Sequence, residues 1–560
     1  MKPVAVACVL IMLAPPAGAD CRAGHRLSDA ELLRTELPVP EAKPAQAMLG
    51  DAHHALVRVR VFRQNVFPDA THWLARAANR FNPVTRTWVV RAALPFTEGE
   101  PVSARQIEEA ERVLRAKPFL FDAGILVRSV CDAGVELDVV VRDVWTLDPS
   151  LELSRSGGDT RSGFGLNDVN LLGLGKAFEL SYRRDASRDT VLARFRDPNF
   201  MGSRWTARLG GASVDDGEQA ELALARPFFS LDSRWSFGVQ TSHFRRVEDL
   251  ELLSEDLTEF DANSAEARVF VGRSTGRSGF RVNRYLVGLA YEEDRYEFEP
   301  GFADTSRYTE RRVYPFVGWQ HITDRFVERT NFLRVGVVED FDVGIRSQLE
   351  LGYSSNALGG RGNAWLYAAS ATGTRILGER HLVRGALRLR GRFSAGSEGT
   401  EDLWLRLGFT HVWRLSERWR WIADAEFVAT RDLPLHRQLT QGGDTGLRAY
   451  PSRYQVGDHR YRGSLEVRYL PDIFPWRLFR VGVAAFADVG RAWYEERAPE
   501  YLPERRGDHF GTLYDVGLGL RIESVRTRRD RVIAIDLAQP LVDGPGVDGV
   551  ELSVSVRQAF

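Results

Sequence analysis

From about residue 150 to the C-terminus, apolar and polar residues alternate with a period of two almost without interruption, a pattern that leaves little room for anything but β-structure. Trp205, Ala207 and Leu209 alternate with Arg204, Thr206 and Arg208. Val383, Leu387, Leu389 and Phe393 alternate with Arg384, Arg388, Arg390 and Arg392. Trp419, Trp421, Ala423, Ala425 and Phe427 are set against Arg418, Arg420, Asp424 and Glu426. Tyr461, Leu465, Val467 and Tyr469 are set against Arg462, Ser464, Glu466 and Arg468. The last segment opposes Val550, Leu552, Val554 and Val556 to Glu551, Ser553, Ser555 and Arg557.

Alternation alone also describes a soluble sandwich, which buries one face of each strand. Three features favour a transmembrane barrel. The segments run to about 9–13 residues, the length a tilted strand needs to cross the hydrocarbon layer, whereas globular strands commonly have about 5 or 6. Aromatic residues recur near segment ends (Trp404, Trp413, Trp419, Trp421), where interfacial girdles belong. Short turns alternate with long charged loops, read here at Arg245 to Asn263 and Tyr291 to Arg312. A barrel also accommodates the cationic ladder Arg384, Arg388, Arg390 and Arg392, which is costly against lipid but well solvated in a wet lumen. Closure is obligatory, because lipid cannot satisfy an open sheet edge. The expectation is an all-β barrel over residues 149–560 with about 16 antiparallel strands and an upper limit of about 20, the stretch 200–380 being the ambiguous part.

The front of the chain is different. Met1 to Ala19 carries Lys2, an apolar run from Val4 to Ala14, and Ala17-Gly18-Ala19, which reads as a secretory signal peptide. Cys8 leaves with it. Cys21 and Cys131 remain in an oxidising space, where a disulfide and two unpaired small residues are equally compatible with the sequence. No later apolar run reaches the roughly 18 residues of a helical span. Residues 20–52 read as a proline-containing lead-in segment, and residues 53–148 as a small α/β unit. That unit opens on a strand in which Val57, Val59 and Val61 alternate with Arg58 and Arg60, followed by a short helix at Thr71 to Phe81. A second helix begins at Ser103, with Gln106 in capping-box position and a stripe of Ile107, Ala110 and Leu114. Two strands close the unit, the second alternating Val135, Leu137, Val139 and Val141 with polar residues.

One stretch carries a family signature. Gly442-Gly443-Asp444-Thr445-Gly446-Leu447-Arg448-Ala449-Tyr450-Pro451 is followed by Gly457-Asp458, by Glu466-Val467-Arg468-Tyr469, by Phe486-Ala487-Asp488-Val489-Gly490 and by Gly517-Leu518-Gly519-Leu520-Arg521. This order resembles the BamA/TamA-type outer-membrane assembly-factor superfamily, its sixth-loop motif and the strands that follow. The resemblance implies that Arg448, with Gly443 and Tyr450 beside it, folds back into the lumen to pair with Asp488 of the Phe486-to-Gly490 motif. A planar bidentate pair of this kind gives register as well as attraction. Ala449 stands where the family has glycine, a less permissive turn residue. Residues 55–147, with Lys117-Pro118-Phe119-Leu120-Phe121 leading into a strand, resemble a single polypeptide-transport-associated (POTRA) domain. Leu171-Leu172-Gly173-Leu174-Gly175 and Asp197-Pro198-Asn199-Phe200 are similar to the family's first strands. Phe560, in step with Val556, Val554 and Leu552, resembles the terminal signal by which such barrels are inserted, although Gln558 interrupts the apolar face.

The resemblance implies a non-enzymatic outer-membrane protein that helps to insert, assemble or export other polypeptides. It would hold a client through the POTRA-like domain in the periplasm and open the seam between its first and last strands, alone or with a periplasmic or inner-membrane partner. The alternative is an anion-selective or small-solute channel lined by the arginine ladder. Catalysis is disfavoured: no Gly-x-Ser-x-Gly elbow precedes the barrel, and His53, His54 and His509 lack metal-ligand spacing, so no cofactor or metal is expected. A net charge of -1 argues against a nucleic-acid partner.

Overall fold

The computed structural model describes residues 21–34, 44–67, 73–156, 159–184, 188–253, 255–299, 307–330, 332–333, 338–394, 400–434, 437–473, 475, 479–495, 507–524, 531–547 and 549–558. The expected signal peptide and Phe560 lie outside these residues.

In the N-terminal unit, β1 (Arg22–Ala23), β2 (His54–Gln64), β3 (Pro101–Val102), β4 (Leu120–Cys131) and β5 (Gly134–Asp143) form one sheet in the order β1-β4-β5-β2-β3. Its helices are α1 (Asp29–Leu32), α2 (Ala45–Leu49), α3 (Trp73–Phe81), α4 (Thr87–Ala93) and α5 (Ala104–Arg115). The β4–β5 pair is a hairpin, whereas β2 runs parallel to β5 and needs the helical crossover between them. The stripe on α5 buries Ile107, Ala110 and Leu114 against Leu137, Val139 and Val141 of β5. Its first turn is tied by the Ser103 amide, which donates to Gln106 Oε1 at 2.9 Å.

The described parts of the stretch expected to be a lead-in, 21–34 and 44–52, instead pack into this unit. β1 pairs with β4, Leu32 packs on Phe62, Leu126 and Val140, and Met48 and Leu49 enter the main core. A disulfide joins Cys21 to Cys131 across the β1–β4 edge. The apolar residues that do this are too sparse to show a period, so the sequence pattern did not reveal them.

The remaining strands begin with β6 (Leu147–Ser156), β7 (Asp159–Asp168), β8 (Ala177–Arg184), β9 (Asp189–Phe200), β10 (Trp205–Val214) and β11 (Gly217–Arg226). Longer ones follow: β12 (Trp235–Leu252), β13 (Glu255–Ser278), β14 (Arg281–Phe298) and β15 (Arg307–Thr323). A separate hairpin, β16 (Phe326–Thr330) and β17 (Val338–Asp342), precedes β18 (Ile345–Ser354), β19 (Ala364–Leu377), β20 (His381–Ser394), β21 (Thr400–Arg414) and β22 (Trp419–Arg431). A second small hairpin, β23 (Leu439–Gln441) and β24 (Gln455–Gly457), leads to β25 (His459–Tyr469), β26 (Phe479–Trp493), β27 (Leu513–Ser524), β28 (Arg531–Pro540) and β29 (Glu551–Gln558).

Leaving out the two small hairpins, twenty of these strands close into one antiparallel barrel, with β29 meeting β6. The expected number of about 16 is therefore low, and the structure sits at the upper limit. In the ambiguous stretch the strands are also longer than expected. Residues 245–263 and 291–312 were expected as loops, but most of each lies in β12–β13 and β14–β15, whose strands continue in register through charged residues. Beyond the hydrocarbon layer a strand needs no apolar face. Here it is held by cross-strand pairs such as Arg312 with Glu292 (2.7 Å) and Asp294 (2.8 Å).

Side-chain parity divides the wall. Along β26 the buried positions Arg480, Ala484, Phe486, Asp488 and Gly490 alternate with outward Val481, Val483, Ala485 and Ala487. Leu518, Leu520, Leu537 and Leu552 are outward and exposed. An apolar exterior around a charged interior is what a transmembrane barrel requires. Trp413, Trp419 and Trp421 are on the outer face, as girdle residues should be. Trp404 is not: it shares the inner parity of Arg406, and Arg390 lies 5.5 Å from its ring centroid.

The unit and the barrel meet in a buried polar joint. The β7–β8 turn inserts into the unit, where Gly173, at φ +72, accepts from the Arg86 amide at 2.9 Å; a Cβ there would lie 2.5 Å from Val84 O. Asn170 Nδ2 donates to Thr85 Oγ1 at 2.8 Å, and the Thr85 amide donates to Asp143 Oδ2 at 2.6 Å.

Candidate functional site: a loop anchored in the barrel lumen

The β22–β25 connection, at the end of the barrel away from the N-terminal unit, folds back into the lumen. Its β23–β24 hairpin supports a 3-10 turn at Gly443–Thr445, and the Gly443 amide donates to Pro451 O at 2.9 Å. Leu447, Ala449, Tyr450 and Tyr454 then form an apolar cluster with Phe486 of β26, Leu513 of β27 and Ala538 of β28. The Tyr450 hydroxyl, fully buried, donates to Tyr514 O at 2.8 Å.

This packing carries the Arg448 guanidinium, 2% exposed, into a set of carboxylates drawn from three strands. Nε lies 3.0 Å from Asp488 Oδ2, a charge contact without hydrogen-bond alignment, and Nη2 donates to Asp488 Oδ1 at 3.5 Å. Nη1 lies 3.2 Å from Glu466 Oε2 on β25 and 3.1 Å from Asp536 Oδ2 on β28. The guanidinium carbon is 3.6 Å from the centroid of the Phe486 ring, a cation–π contact in a water-poor setting.

A second guanidinium completes the network. Arg521 of β27 holds Glu466 through Nε (2.9 Å) and Nη2 (2.6 Å), and Asp536 through Nη1 (2.5 Å). Arg468 Nε donates to Glu466 Oε1 at 2.5 Å. Ser464 Oγ donates to Asp488 Oδ1 at 2.6 Å, and the Ala449 amide donates to Asp515 Oδ2 at 3.4 Å. Three guanidinium groups and four carboxylates thus stitch β25, β26, β27 and β28 together through one loop.

The structure therefore brings Arg448, Asp488, Tyr450, Phe486 and Gly443 together, with Gly490 on the same inner face of β26. Glu466, Asp515, Arg521 and Asp536 belong to the same site and were not singled out as site residues. Glu466 and Arg521 stand within the quoted family motifs without a role attached to them, and the signal at Asp515 and Asp536 is inner parity within an apolar strand, which many barrel residues share.

The ladder residues have separate surroundings. Arg392 pairs with Glu310 and, at 2.8 Å, with Glu401. Arg390 lines a cavity of about 550 Å³ that also contains Glu266, Arg268, Asp294, Asp402 and Arg437. Arg384 Nε is 3.5 Å from Thr374 Oγ1, and Arg388 has the same inner parity on β20. Across the cavity Arg268 meets Glu350 and Arg437 meets Asp402 at 2.8 Å, so the wall is matched in charge rather than purely cationic. Of the expected terminal signal, Leu552 is exposed on the outer face and Val554 is half-buried. Val556 has its backbone in β29, with its side chain outside the described set.

The barrel closes unevenly. Eight register pairs join β28 to β29 and ten join β6 to β7, whereas among the described residues Val554↔Arg155 is the one pair recorded between β29 and β6.

Glycine makes room for the network. A Cβ on Gly519 would lie 1.9 Å from Asp536 Oδ1 and 2.8 Å from Arg521 Nη1. Gly519→Ala is expected to destabilise the barrel by about 1–3 kcal/mol through overpacking. Gly385→Ala, where nothing lies within 4 Å, should stay within about 0.5 kcal/mol. Heat-modifiability gels over a temperature series measure both, and equal melting of the two variants would contradict the packing argument.

The chain matches no protein-family model and no curated protein. Among solved structures it is similar to BamA from Haemophilus ducreyi lacking POTRA domains 1-3, at 14% identity over 90% of this chain and 84% of that one, with a TM-score of 0.40. It is similar to CdiB from Acinetobacter baumannii at 11% identity over 91% and 74% of the two chains, with a TM-score of 0.41. With CdiB from Escherichia coli the values are 14% identity, 90% and 75%, and a TM-score of 0.43.

Proposed function

We propose that the chain is an outer-membrane protein that assists the insertion, assembly or export of other polypeptides and performs no chemistry of its own. The observation that carries this reading is the seam. A strand pair is held by its ladder of backbone hydrogen bonds, and among the described residues the β29–β6 ladder has one register pair while its neighbours have eight and ten. Such a seam is the place where a barrel wall can part and offer unpaired edges to an incoming strand. The loop network on β25–β28 supports the reading, because it keeps one flank of the seam rigid while the closure itself stays weak.

In this reading the N-terminal unit is a single POTRA-like domain in the periplasm that receives the client along a sheet edge. The β2 edge is suited to that task. Beyond His54 and Ala55 it lacks a strand neighbour among the described residues, and at Val59 side chains substitute for one. Glu98 accepts from the Val59 amide at 2.8 Å, and Arg91 donates to the Val59 carbonyl at 2.8 Å. The matched charges of the lumen wall weigh against an anion-selective channel.

Locking the seam tests the proposal. With Arg155→Cys and Val554→Cys, oxidation should reproduce the effect of deleting the gene, lowering other surface or secreted proteins in the outer-membrane proteome. Reduction should restore them, and neither single variant should respond. If deletion and the oxidised lock both leave that proteome unchanged, the proposal is wrong.

A further inference from the structure

The connection between β15 and β18 is far longer than its task. On the side of the barrel that faces the N-terminal unit, β13–β14 is joined by residues 279–280, β19–β20 by 378–380 and β21–β22 by 415–418. Joining antiparallel neighbours needs no more than that. The β15–β18 connection spans 324–344 and forms its own hairpin, β16–β17, in register from Phe326↔Asp342 to Thr330↔Val338.

Both ends of this hairpin are fastened. At its crown Phe332, fully buried, packs with Phe341 against Leu382 of β20 and Val412 of β21, with Ile422 of β22 beside them. Leu382 shares the inner parity of the Arg384-to-Arg392 ladder, so the crown sits inside the lumen and against the wall several strands away. Arg420 Nη1, on β22, donates to Leu333 O at 2.8 Å, and Glu339 Oε2 accepts the Phe332 and Leu333 amides at 2.8 Å each. At its base the hairpin is held by α5. Arg115 grips Asp340 through Nε (2.7 Å) and Nη2 (2.8 Å) and reaches Glu328 at 2.7 Å. Arg112 lies 4.6 Å from the Phe326 ring centroid. The same helix touches the barrel through Glu109, which accepts from the Leu231 amide at 2.7 Å and pairs with Arg277.

Helix α5 and the hairpin therefore underlie the barrel from the β11–β12 turn round to β22. We propose that β16 and β17, with Phe332 and Leu333 at their crown, form a strap that shuts this mouth of the barrel, anchored in the far wall by Phe332 and latched to the N-terminal unit by Arg115. The latch lies outside the wall and is made of charge-assisted hydrogen bonds. The anchor is the apolar packing of Phe332 and Phe341 together with the Arg420 hydrogen bond to Leu333 O, none of it a barrel-ladder bond, so the strap can leave without disturbing any barrel ladder. Movement of the N-terminal unit would release it. This gate is independent of what the barrel handles, and it stands or falls separately from the seam.

Conductance of the full-length protein in planar bilayers tests it. The wild type should show small, infrequent openings. Arg115→Ala and Phe332→Ala should each raise the mean conductance several-fold, with heat-modifiability confirming that the barrel is folded. If Phe332→Ala does not fold, Arg115→Ala, which lies outside the barrel, carries the test together with the pair Arg115→Cys and Asp340→Cys. Oxidation of that pair should hold conductance at the wild-type level, and reduction should raise it. Folded Arg115→Ala with wild-type conductance, or a cysteine pair that conducts equally in both redox states, would overturn the strap whatever the outer-membrane proteome shows.

Discussion

Arg448→Ala is expected to lower the stability of the barrel by about 3–5 kcal/mol, the usual result of removing one partner from a buried charge network. Among the described residues of the loop, this guanidinium is the group that touches Glu466, Asp488 and Asp536 together. Its loss is felt unequally. Glu466 keeps Arg468 and Arg521, and Asp536 keeps Arg521. Asp488 loses its guanidinium while facing Asp515 directly across the β26–β27 ladder. Most of the cost should therefore come from Asp488. Adding Asp488→Asn to Arg448→Ala should recover part of the loss, a non-additivity that a double-mutant cycle reads directly. Arg448→Lys should fall between, because a compact ammonium cannot span carboxylates that the planar fork reaches. Heat-modifiability gels measure the series. Unchanged melting in both Arg448→Ala and Asp488→Ala would remove this pairing as a determinant of the barrel.

How far the sequence discloses this molecule depends on which solvent each residue answers to. Where the wall requires an apolar exterior, the period of two is forced and can be read directly, as along Val481, Val483, Ala485 and Ala487. Where β12–β15 extend through charged residues that need no apolar face, the ends of the strands read as loops. The helix at Ser103 is visible because capping and a buried stripe are local signals. The β1–β4 pairing and the strap are not visible, because each depends on a handful of contacts between residues far apart in the chain, such as Phe332 with Leu382 and Val412. Within the lumen, Arg448 and Asp488 are conspicuous as parts of spaced motifs. Glu466 and Arg521 lie in those motifs too, but nothing in the sequence assigns them a partner, and Asp515 and Asp536 look like any inward charge until the loop arrives among them.

The N-terminal unit should become less stable as pH rises through neutrality, and Asp143 should be the main cause. Its carboxyl is 1% exposed at the joint with the barrel, and burial pushes it up from the usual carboxylate range to about 7. The Thr85 amide and nearby Arg63 pull the other way without prevailing. A carboxyl whose folded pKa lies above its unfolded value favours the fold in its neutral form. That contribution is complete below about pH 4 and is lost as pH climbs through about 7, with an upper bound of about 4 kcal/mol for a shift of this size. Asp143→Asn keeps an acceptor for the Thr85 amide and cannot ionise, so it should remove most of the dependence. Glu111 on α5, which burial also raises to about 7, accounts for a residual slope that Glu111→Gln should flatten. Pulse proteolysis of the N-terminal unit within the full-length protein, from pH 5 to pH 9, reads the effect. Equal slopes in the wild type and the double variant would mean that neither buried carboxyl governs it. A steep wild-type slope that Asp143→Asn largely removes would show that the same burial that seats the unit on the barrel also makes the joint sensitive to the proton on one carboxyl.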